Sequence, residues 1–297
     1  MPELPEVETI RRIVEQELVG QETSTVVVRL QKLLRTSPVP SLEPLKGKRL
    51  QHARRRAKVL MLDFDDDLTL MMHLKLAGQV AVIRGDGRRF VAGHPVPNPD
   101  GPYPHKSTHV ELHFESGAVL YISDLRQFGW LRLMPRADAE SELAKMKFGP
   151  EAFGPEMVTI NHLRERLARR SIPIKTALLD QSLLAGLGNI YVDEALHRAK
   201  MHPTTPANSI NGKNLMALHE AIGWALERGV AQGGAKIIHN KAYPIDGFPA
   251  VHGRSGETCP VCGALVMKTR VGARGTYFCP VCQREKRVTK AGSRSRP

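Results

Sequence analysis

The chain opens with Met1-Pro2-Glu3-Leu4-Pro5-Glu6-Val7-Glu8, and this stretch predicts the first turn of a helix. Proline suits the first turn because its missing N–H would have no partner there, and acidic side chains suit the positive end of the helix dipole. Apolar side chains then recur at helical spacing until Gly20. The sequence therefore predicts an amphipathic N-terminal helix. Its apolar positions are Val7, Ile10, Ile13, Val14 and Leu18.

The same stretch has a second interpretation, in which Pro2 is a nucleophile. Removal of Met1 would leave Pro2 with a secondary amine, which can attack an electrophilic carbon and lose water to form an iminium. An α-amino group titrates near pH ~8, so roughly a tenth or more is free base at neutral pH. Glu3 and Glu6 supply carboxylates nearby. The helix forms under either interpretation, so the two are compatible.

Length and charge narrow the class of partner. A chain of 297 residues is expected to form two domains or one large one. Its formal net charge of +13 favours a partner that carries negative charge. No stretch approaches the ~20 apolar residues that span a bilayer, and no strongly basic amphipathic helix stands out, so nucleic acid is favoured over a membrane. A soluble protein that is merely basic remains the alternative. The N-terminal stretch lacks the apolar segment of a signal peptide, which predicts a cytoplasmic location.

Four cysteines near the C-terminus follow the pattern C-x2-C-x16-C-x2-C. Two such pairs match a tetrahedral thiolate zinc site, and four thiolates leave no open coordination position. A pair of disulfides is the alternative, which the missing secretory signal disfavours. The sequence therefore predicts one structural Zn²⁺ ion. Its ligands would be Cys259, Cys262, Cys279 and Cys282.

The residues between the two cysteine pairs predict a β-hairpin. Residues 266–271 and 276–278 favour strands, and residues 272–275 form a glycine-containing turn that carries Arg274 at the tip. A basic tail follows at residues 286–297, and we expect it to be disordered.

The periodicity of the chain changes along its length. Residues 23–135 contain short β-like runs divided by Gly-rich and Asp-rich turns, as in an antiparallel sandwich, whereas residues 140–232 show helical spacing. The predicted strands are Thr25–Leu30, Lys58–Phe64, Thr69–Leu74, Gln79–Ile83, His109–Phe114, Val119–Ser123 and Trp130–Met134. Within the helical half, Gly186 and Gly188 leave a tight turn just before a helix, whose free amides could bind a phosphate with help from Asn189. A packing turn with a capping asparagine is the alternative.

Taken together, these segments identify a resemblance to the bacterial formamidopyrimidine-DNA glycosylases of the Fpg/Nei family. The resemblance runs from Pro2 to Gln283. It is carried by Pro2 to Thr9 with Arg11 and Arg12, Arg55-Arg56-Ala57-Lys58, His73-Leu74, Asp124 to Gly129, Ile174-Lys175 to Tyr191, and the cysteine-bounded hairpin with Arg274.

The resemblance implies a multidomain α and β fold. An N-terminal antiparallel β-sandwich with an N-terminal helix would span residues 1–136. A helix–two-turn–helix (H2TH) module would follow at 137–245, and a β-hairpin zinc finger at 246–285. Damaged double-stranded DNA would lie between the two halves, and the protein is expected to act as a monomer.

The resemblance also implies a mechanism for a bifunctional DNA glycosylase and AP lyase. Pro2 would attack C1′ of a nucleotide turned out of the duplex, and Glu3 would act as general acid and base. Lys58 would donate a proton in β-elimination and Arg274 in δ-elimination, while Glu6 would orient the amine or cap the helix. On its sequence context alone, Lys58 also suits a phosphate clamp, because it follows three arginines.

The resemblance also implies that further residues bind DNA. His73, Arg170, Asn189 and Arg274 would contact phosphates. Phe128 would wedge between bases, and Arg126 would meet the partner of the extruded base. Leu76 would fill the space that the extruded base leaves.

The sequence departs from the family pattern in ways that leave the preferred lesion open. Leu76 replaces a methionine, and Ser107 replaces a histidine. In the loop after Gly233-Gly234, residues 235–240 are Ala-Lys-Ile-Ile-His-Asn and lack the small hydroxyl side chains that are common in the family. Oxidised or ring-opened purines are the expected substrates. Alternatives are an endonuclease VIII-like preference for oxidised pyrimidines, a catalytically silent protein that binds damaged DNA, and a zinc-ribbon regulatory protein.

Overall fold

The structure is a computed structural model that describes residues 2–94, 101–238 and 241–285. The sequence also predicts a surface loop for the proline-rich stretch 95–104. Residues 95–100 of that stretch lie outside the described residues, as do the end of the loop after Gly234 and the predicted tail at 286–297.

The predicted N-terminal helix is present as α1 (Leu4–Glu17). The N–H of Glu3 donates to Oε2 of Glu6 over 2.8 Å, which caps the first turn. The helix joins two hydrophobic cores, because Leu4 packs in the core of the helical half. Val7, Ile10 and Val14 pack in the core of the sandwich.

Two antiparallel sheets enclose the sandwich core. The first has the order β1 (Thr23–Val28), β7 (Thr108–Phe114), β8 (Val119–Asp124), β5 (Gly78–Ile83) and β6 (Arg89–Gly93). The second has the order β2 (Leu50–Arg56), β3 (Val59–Phe64), β4 (Leu68–His73) and β9 (Trp130–Pro135). The fold class agrees with the sequence analysis, although β2 and β6 were not predicted.

The helical half contains α3 (Ile160–Ala168), α4 (Ile174–Leu178), α5 (Asn189–Arg198) and α6 (Gly212–Ala231), which share one core. A further helix, α2 (Arg136–Lys145), instead joins a small cluster on the four-stranded sheet, where its Ala139 packs with Met61 and Met71. Short 3₁₀ helices cover Gln31–Leu34, Glu43–Leu45 and Ala207–Ser209. Two very short strands, β10 (Ile237–Ile238) and β11 (Lys241–Ala242), pair with each other after α6. No helix in the described part of the chain has the length and apolarity to cross a membrane.

The predicted hairpin near the C-terminus is formed by β12 (Met267–Val271) and β13 (Arg274–Phe278). Val271 pairs with Arg274, so the turn consists of Gly272 and Ala273 alone. Arg274 therefore begins the second strand beside the turn, rather than lying within it.

The segment before the hairpin is attached to α5 through a buried carboxylate. Glu194 accepts hydrogen bonds from the N–H groups of Ala250, Val251 and His252 at 2.7 to 2.9 Å. These charge-assisted bonds fix the finger on the helical half.

Candidate active site and metal centre

A cavity of about 320 Å³ lies where the N-terminus, the sandwich, the helical half and the finger meet. Six of the residues selected from the sequence line it, although they come from distant parts of the chain. They are Pro2, Lys58, His73, Leu76, Asn189 and Arg274. The structure thus brings the proposed nucleophile, a lysine and an arginine to one opening.

Glu3 lies beside this cavity with its carboxylate against the start of α5. It is only 1 % exposed, and its Oε1 accepts from the N–H of Ile190 at 3.1 Å while Oε2 lies 3.5 Å from the N of Tyr191. The helix amides that the sequence suggested for a phosphate therefore hold a carboxylate of the protein itself. A helix N-terminus favours either anion for the same electrostatic reason.

Gly188 makes the close approach of Glu3 possible. A Cβ at this position would lie 2.5 Å from Oε1 of Glu3 and closer still to Cδ and Oε2. Glycine therefore leaves the space that the carboxylate of Glu3 occupies.

Glu6 lies deeper and does not line the cavity. While Oε2 accepts from the N–H of Glu3, Oε1 accepts from the hydroxyl of Tyr191 at 2.7 Å and from the N–H of Ala235 at 2.8 Å. Burial raises the pKa of Glu6, and the neighbouring Glu3 raises it further. Glu6 therefore ties the Pro2–Glu3 peptide to α5 and to the loop after α6.

Lys58 projects into the cavity, and its Nζ donates to the carbonyl of Leu187 over 2.8 Å. Burial lowers the pKa of Lys58, although Glu3 and Glu6 oppose the shift. The preceding arginines do not form a free basic patch. Arg54 pairs with Asp63 and Glu140, Arg55 with Glu8 and Glu151, and Arg56 with Glu151. Lys58 therefore lines the cavity and does not form a surface clamp with the three arginines.

Arg274 is positioned through its neighbour Gly275. The carbonyl of Gly275 accepts from Nδ2 of Asn189 at 2.9 Å and from Nζ of Lys175 at 3.0 Å. Lys175 is fully buried and pairs with Asp193 over 2.6 Å. The sequence analysis did not select Lys175 or Asp193 as site residues. Lys175 appeared only within the matching stretch from Ile174 to Tyr191, and nothing in that stretch indicated its pairing with Asp193.

His73 is held in the wall of the cavity as a neutral ring. Its Nδ1 accepts from the N–H of Lys75 at 2.9 Å, and burial lowers the pKa of His73 to about 3. A neutral imidazole can still donate a hydrogen bond to a phosphate through its other nitrogen.

Arg170, Arg126 and Phe128 lie outside the cavity. Nη1 of Arg170 pairs with Asp180 at 2.5 Å. Phe128 is 51 % exposed on the loop between β8 and β9, and the guanidinium carbon of Arg126 lies 5.0 Å from the centre of its ring. An exposed aromatic ring beneath a cation suits contact with bases more than packing within the protein.

The four cysteines form a second centre, with all four Sγ atoms within 4.8 Å of one another. A tetrahedral zinc–thiolate site has Zn–S bonds of about 2.3 Å, which puts sulfurs roughly 3.8 Å apart. The Cys259–Cys282 and Cys262–Cys279 separations are 3.9 and 3.4 Å. The residues therefore fit one zinc ion with no open position. Nε2 of His197 lies 3.4 Å from Sγ of Cys259 and supports that ligand from α5.

Family models match most of the chain. Residues 1–131 match the formamidopyrimidine-DNA glycosylase N-terminal domain, and residues 148–240 match the formamidopyrimidine-DNA glycosylase H2TH domain. Residues 256–284 match a zinc finger found in FPG and IleRS. The last match agrees with the four-cysteine centre and confirms the predicted zinc finger.

Individual relatives match over nearly their whole length. A formamidopyrimidine-DNA glycosylase of Bacillus cereus is 36% identical over 95% of this chain and 99% of its own length. One of Herpetosiphon aurantiacus is 37% identical over 95% of this chain and all of its own. Among solved structures, Lactococcus lactis Fpg in complex with DNA that contains an abasic site superposes with a TM-score of 0.82 at 34% identity, covering 96% of this chain and 100% of that one. A complex of the same enzyme with DNA containing N7-benzyl-Fapy-dG has the same TM-score, identity and coverage. The chain therefore belongs to the formamidopyrimidine-DNA glycosylase family.

Proposed function

We propose that this protein is a bifunctional DNA glycosylase and AP lyase that removes ring-opened or oxidised purines and then cuts the strand. The observation that carries the proposal is the cavity in which Pro2, Lys58 and Arg274 meet, with the carboxylate of Glu3 beside them. A solved relative was crystallised with DNA that contains N7-benzyl-Fapy-dG, which supports ring-opened purines as the substrate class.

The first half of the reaction replaces the base by the amine of Pro2. After removal of Met1, the lone pair of the Pro2 nitrogen forms a bond to C1′, and the bond from C1′ to the base breaks with its electron pair leaving on the base. The Pro2 nitrogen loses its N–H proton, which passes to the departing base. The carboxyl of Glu3 then protonates the sugar-ring oxygen, and the C1′–O4′ bond opens to give an iminium. The position of Glu3 supports this role, because α5 holds its carboxylate in place beside Pro2.

The second half breaks the strand. The iminium acidifies the C2′ proton, whose loss expels the 3′ phosphate; a second elimination expels the 5′ phosphate, and water then releases Pro2. Lys58 lines the same cavity, and burial lowers its pKa, which favours proton exchange with the sugar. Arg274 faces the same cavity, where its guanidinium can hold a departing phosphate.

The remaining residues would hold the DNA. We assign His73, Arg170 and Asn189 to phosphates, and Phe128 and Arg126 to the gap that the extruded base leaves. Leu76 lines the cavity and would contact the space beside the sugar. The four cysteines would hold one zinc ion, whose only chemistry is to cross-link the finger that presents Arg274.

The proposal is tested by borohydride trapping with a panel of duplexes. These carry an abasic site, a formamidopyrimidine, 8-oxoguanine or an oxidised pyrimidine. We expect a covalent adduct with abasic and formamidopyrimidine DNA, and peptide mass spectrometry should place it on Pro2. No adduct with any duplex would refute the proposal in favour of a silent binding protein. Efficient trapping with the oxidised pyrimidine, and none with the formamidopyrimidine or 8-oxoguanine, would instead place the protein in the endonuclease VIII-like class.

A further inference from the structure

The exposed loop at residues 125–129 is held by a carboxylate that no proposed step uses. Asp124 ends β8 and is 3 % exposed. Its Oδ1 accepts from the N–H of Arg126 at 3.1 Å, and its Oδ2 accepts from the N–H of Gly129 at 2.7 Å. Its own carbonyl accepts from the N–H of Gln127 at 3.2 Å. One residue therefore fixes both ends of the loop that displays Arg126 and Phe128.

Asp124 is itself fixed to the sheet behind the loop. Its N–H donates to the carbonyl of Ser107 over 3.0 Å. Nε2 of His109 lies 2.9 Å from its carbonyl, and because a carbonyl only accepts, His109 must carry a proton on Nε2. The sequence analysis regarded Ser107 only as a missing histidine contact. In the structure its backbone forms part of the support for Asp124.

The same corner connects the loop to the cavity. A Cβ on Gly129 would lie 3.0 Å from Oδ2 of Asp124 and 3.2 Å from the carbonyl of His73. Trp130, the next residue, pairs with His73 across β9 and β4. The loop thus ends against the strand that brings His73 into the cavity wall, so its position relative to the cavity is set by backbone contacts.

We propose that Asp124 is a positioning residue for base extrusion: it holds Arg126 and Phe128 in their inserting arrangement before DNA arrives. This inference rests on the proposed function, since a wedge is needed only if a base is turned out. A loop ordered in advance does not lose its conformational freedom on binding, and this preorganisation favours the bound state. Gln127 has a φ of 55°, a left-handed conformation that is costly for a side chain and that the Asp124 bonds help to maintain.

Two variants separate the contributions of the carboxylate. Asp124→Ala removes both acceptors. Asp124→Asn keeps the shape and one acceptor oxygen, but places an NH₂ group against one of the two loop N–H groups. Asp86→Ala is the matched control, because the carboxylate of Asp86 also accepts from a backbone N–H, that of Arg88, in a turn that does not line the cavity.

The test compares single-turnover excision from two duplexes, one with cytosine opposite the lesion and one with an abasic analogue there. The second duplex has no base opposite the lesion, so insertion of Phe128 and Arg126 contributes little to excision from it. Loss of two bonds to a charged acceptor predicts a decrease of about 100-fold or more for Asp124→Ala on the paired duplex. On the unpaired duplex the decrease should be about threefold or less. Asp124→Asn should fall between Asp124→Ala and the parent, and Asp86→Ala should match the parent on both.

A fluorescent 2-aminopurine next to the lesion gives a second measurement. The fluorescence of 2-aminopurine rises when the bases unstack. In the Asp124 variants the rate of this rise should decrease by the same factor as the rate of excision. Equal losses on both duplexes, or no loss on the paired one, would overturn the proposal. If Asp124→Ala does not fold, the same comparison with Asp124→Asn decides the matter. An inactive parent protein would instead refute the proposed glycosylase function, so the two failures are distinguishable.

Discussion

Replacement of Gly188 by alanine should slow excision about 100-fold while leaving the fold in place. The new Cβ would lie 2.5 Å from Oε1 of Glu3, whereas unbonded atoms prefer separations of about 3.5 Å. The carboxylate would have to retreat by about 1 Å, because Gly188 is anchored at the start of α5. That movement breaks the 3.1 Å bond from the N–H of Ile190.

Two independent estimates give the same size of effect. Displacement of a catalytic group by about 1 Å costs on the order of 100-fold in rate. This factor corresponds to about 2.7 kcal/mol of transition-state stabilisation. Loss of a hydrogen bond to a charged acceptor costs about 1.5–3 kcal/mol. We therefore expect single-turnover excision to fall about 100-fold. Overpacking should lower the free energy of unfolding by about 1–3 kcal/mol.

The assay is single-turnover excision from a lesion duplex, with thermal unfolding measured in parallel. Gly223→Ala is the matched control, because a Cβ there meets only the side chain of Met157 at 3.5 Å. The double variant Gly188→Ala with Glu3→Ala should unfold at the temperature of Glu3→Ala alone, since the clash is then removed. An excision rate within threefold of the parent protein in Gly188→Ala would refute the catalytic placement of Glu3.

Three further changes test other parts of the site. Pro2→Gly should abolish or severely slow excision. Its affinity for abasic-analogue DNA, measured by fluorescence anisotropy, should stay within a few-fold of that of the parent protein. Normal excision by this variant would exclude Pro2 as the nucleophile. Cys279→Ser, or zinc removal by a chelator, should loosen the finger and weaken DNA binding in the same anisotropy assay, and unchanged affinity after verified zinc loss would contradict the structural role. Glu6→Gln should change the pH dependence of stability. Burial and Glu3 raise the pKa of Glu6 above 4.5, so its contribution to the free energy of unfolding is complete below that pH and is lost as pH rises through the folded value. In denaturant titrations, the free energy of unfolding of Glu6→Gln should therefore increase relative to that of the parent protein as the pH rises. A difference that does not change with pH would contradict this account.

Features with local signals were predictable from the sequence. The N-terminal helix, the four-cysteine site and the hairpin each follow from spacing within a few residues. Strand β2 was missed because three of its residues are the consecutive arginines 54–56, which read as a basic patch. In the folded chain these arginines pair with acids from other elements, among them Glu140 and Glu151, which lie far away in sequence.

The assembly of the site was predictable only through the family resemblance. From residues alone, Pro2 and Glu3 suggested amine chemistry, but nothing local placed them beside α5. The bond from Ile190 to Glu3 joins residues 187 positions apart, and that from Lys175 to Gly275 spans 100. Local periodicity carries no information about such pairs. For the same reason, the turn before Asn189 suggested a phosphate where the fold supplies the carboxylate of Glu3 instead.

Helix α1 has one further consequence for the rigidity of the site. Its first turn packs among the helices through Leu4, while Val7 and Ile10 pack between the sheets. A displacement of one core relative to the other would therefore pull α1 out of one of them and expose buried apolar side chains to water, which is unfavourable. Pro2 directly precedes this helix and lines the cavity, so its position is tied to both cores at once.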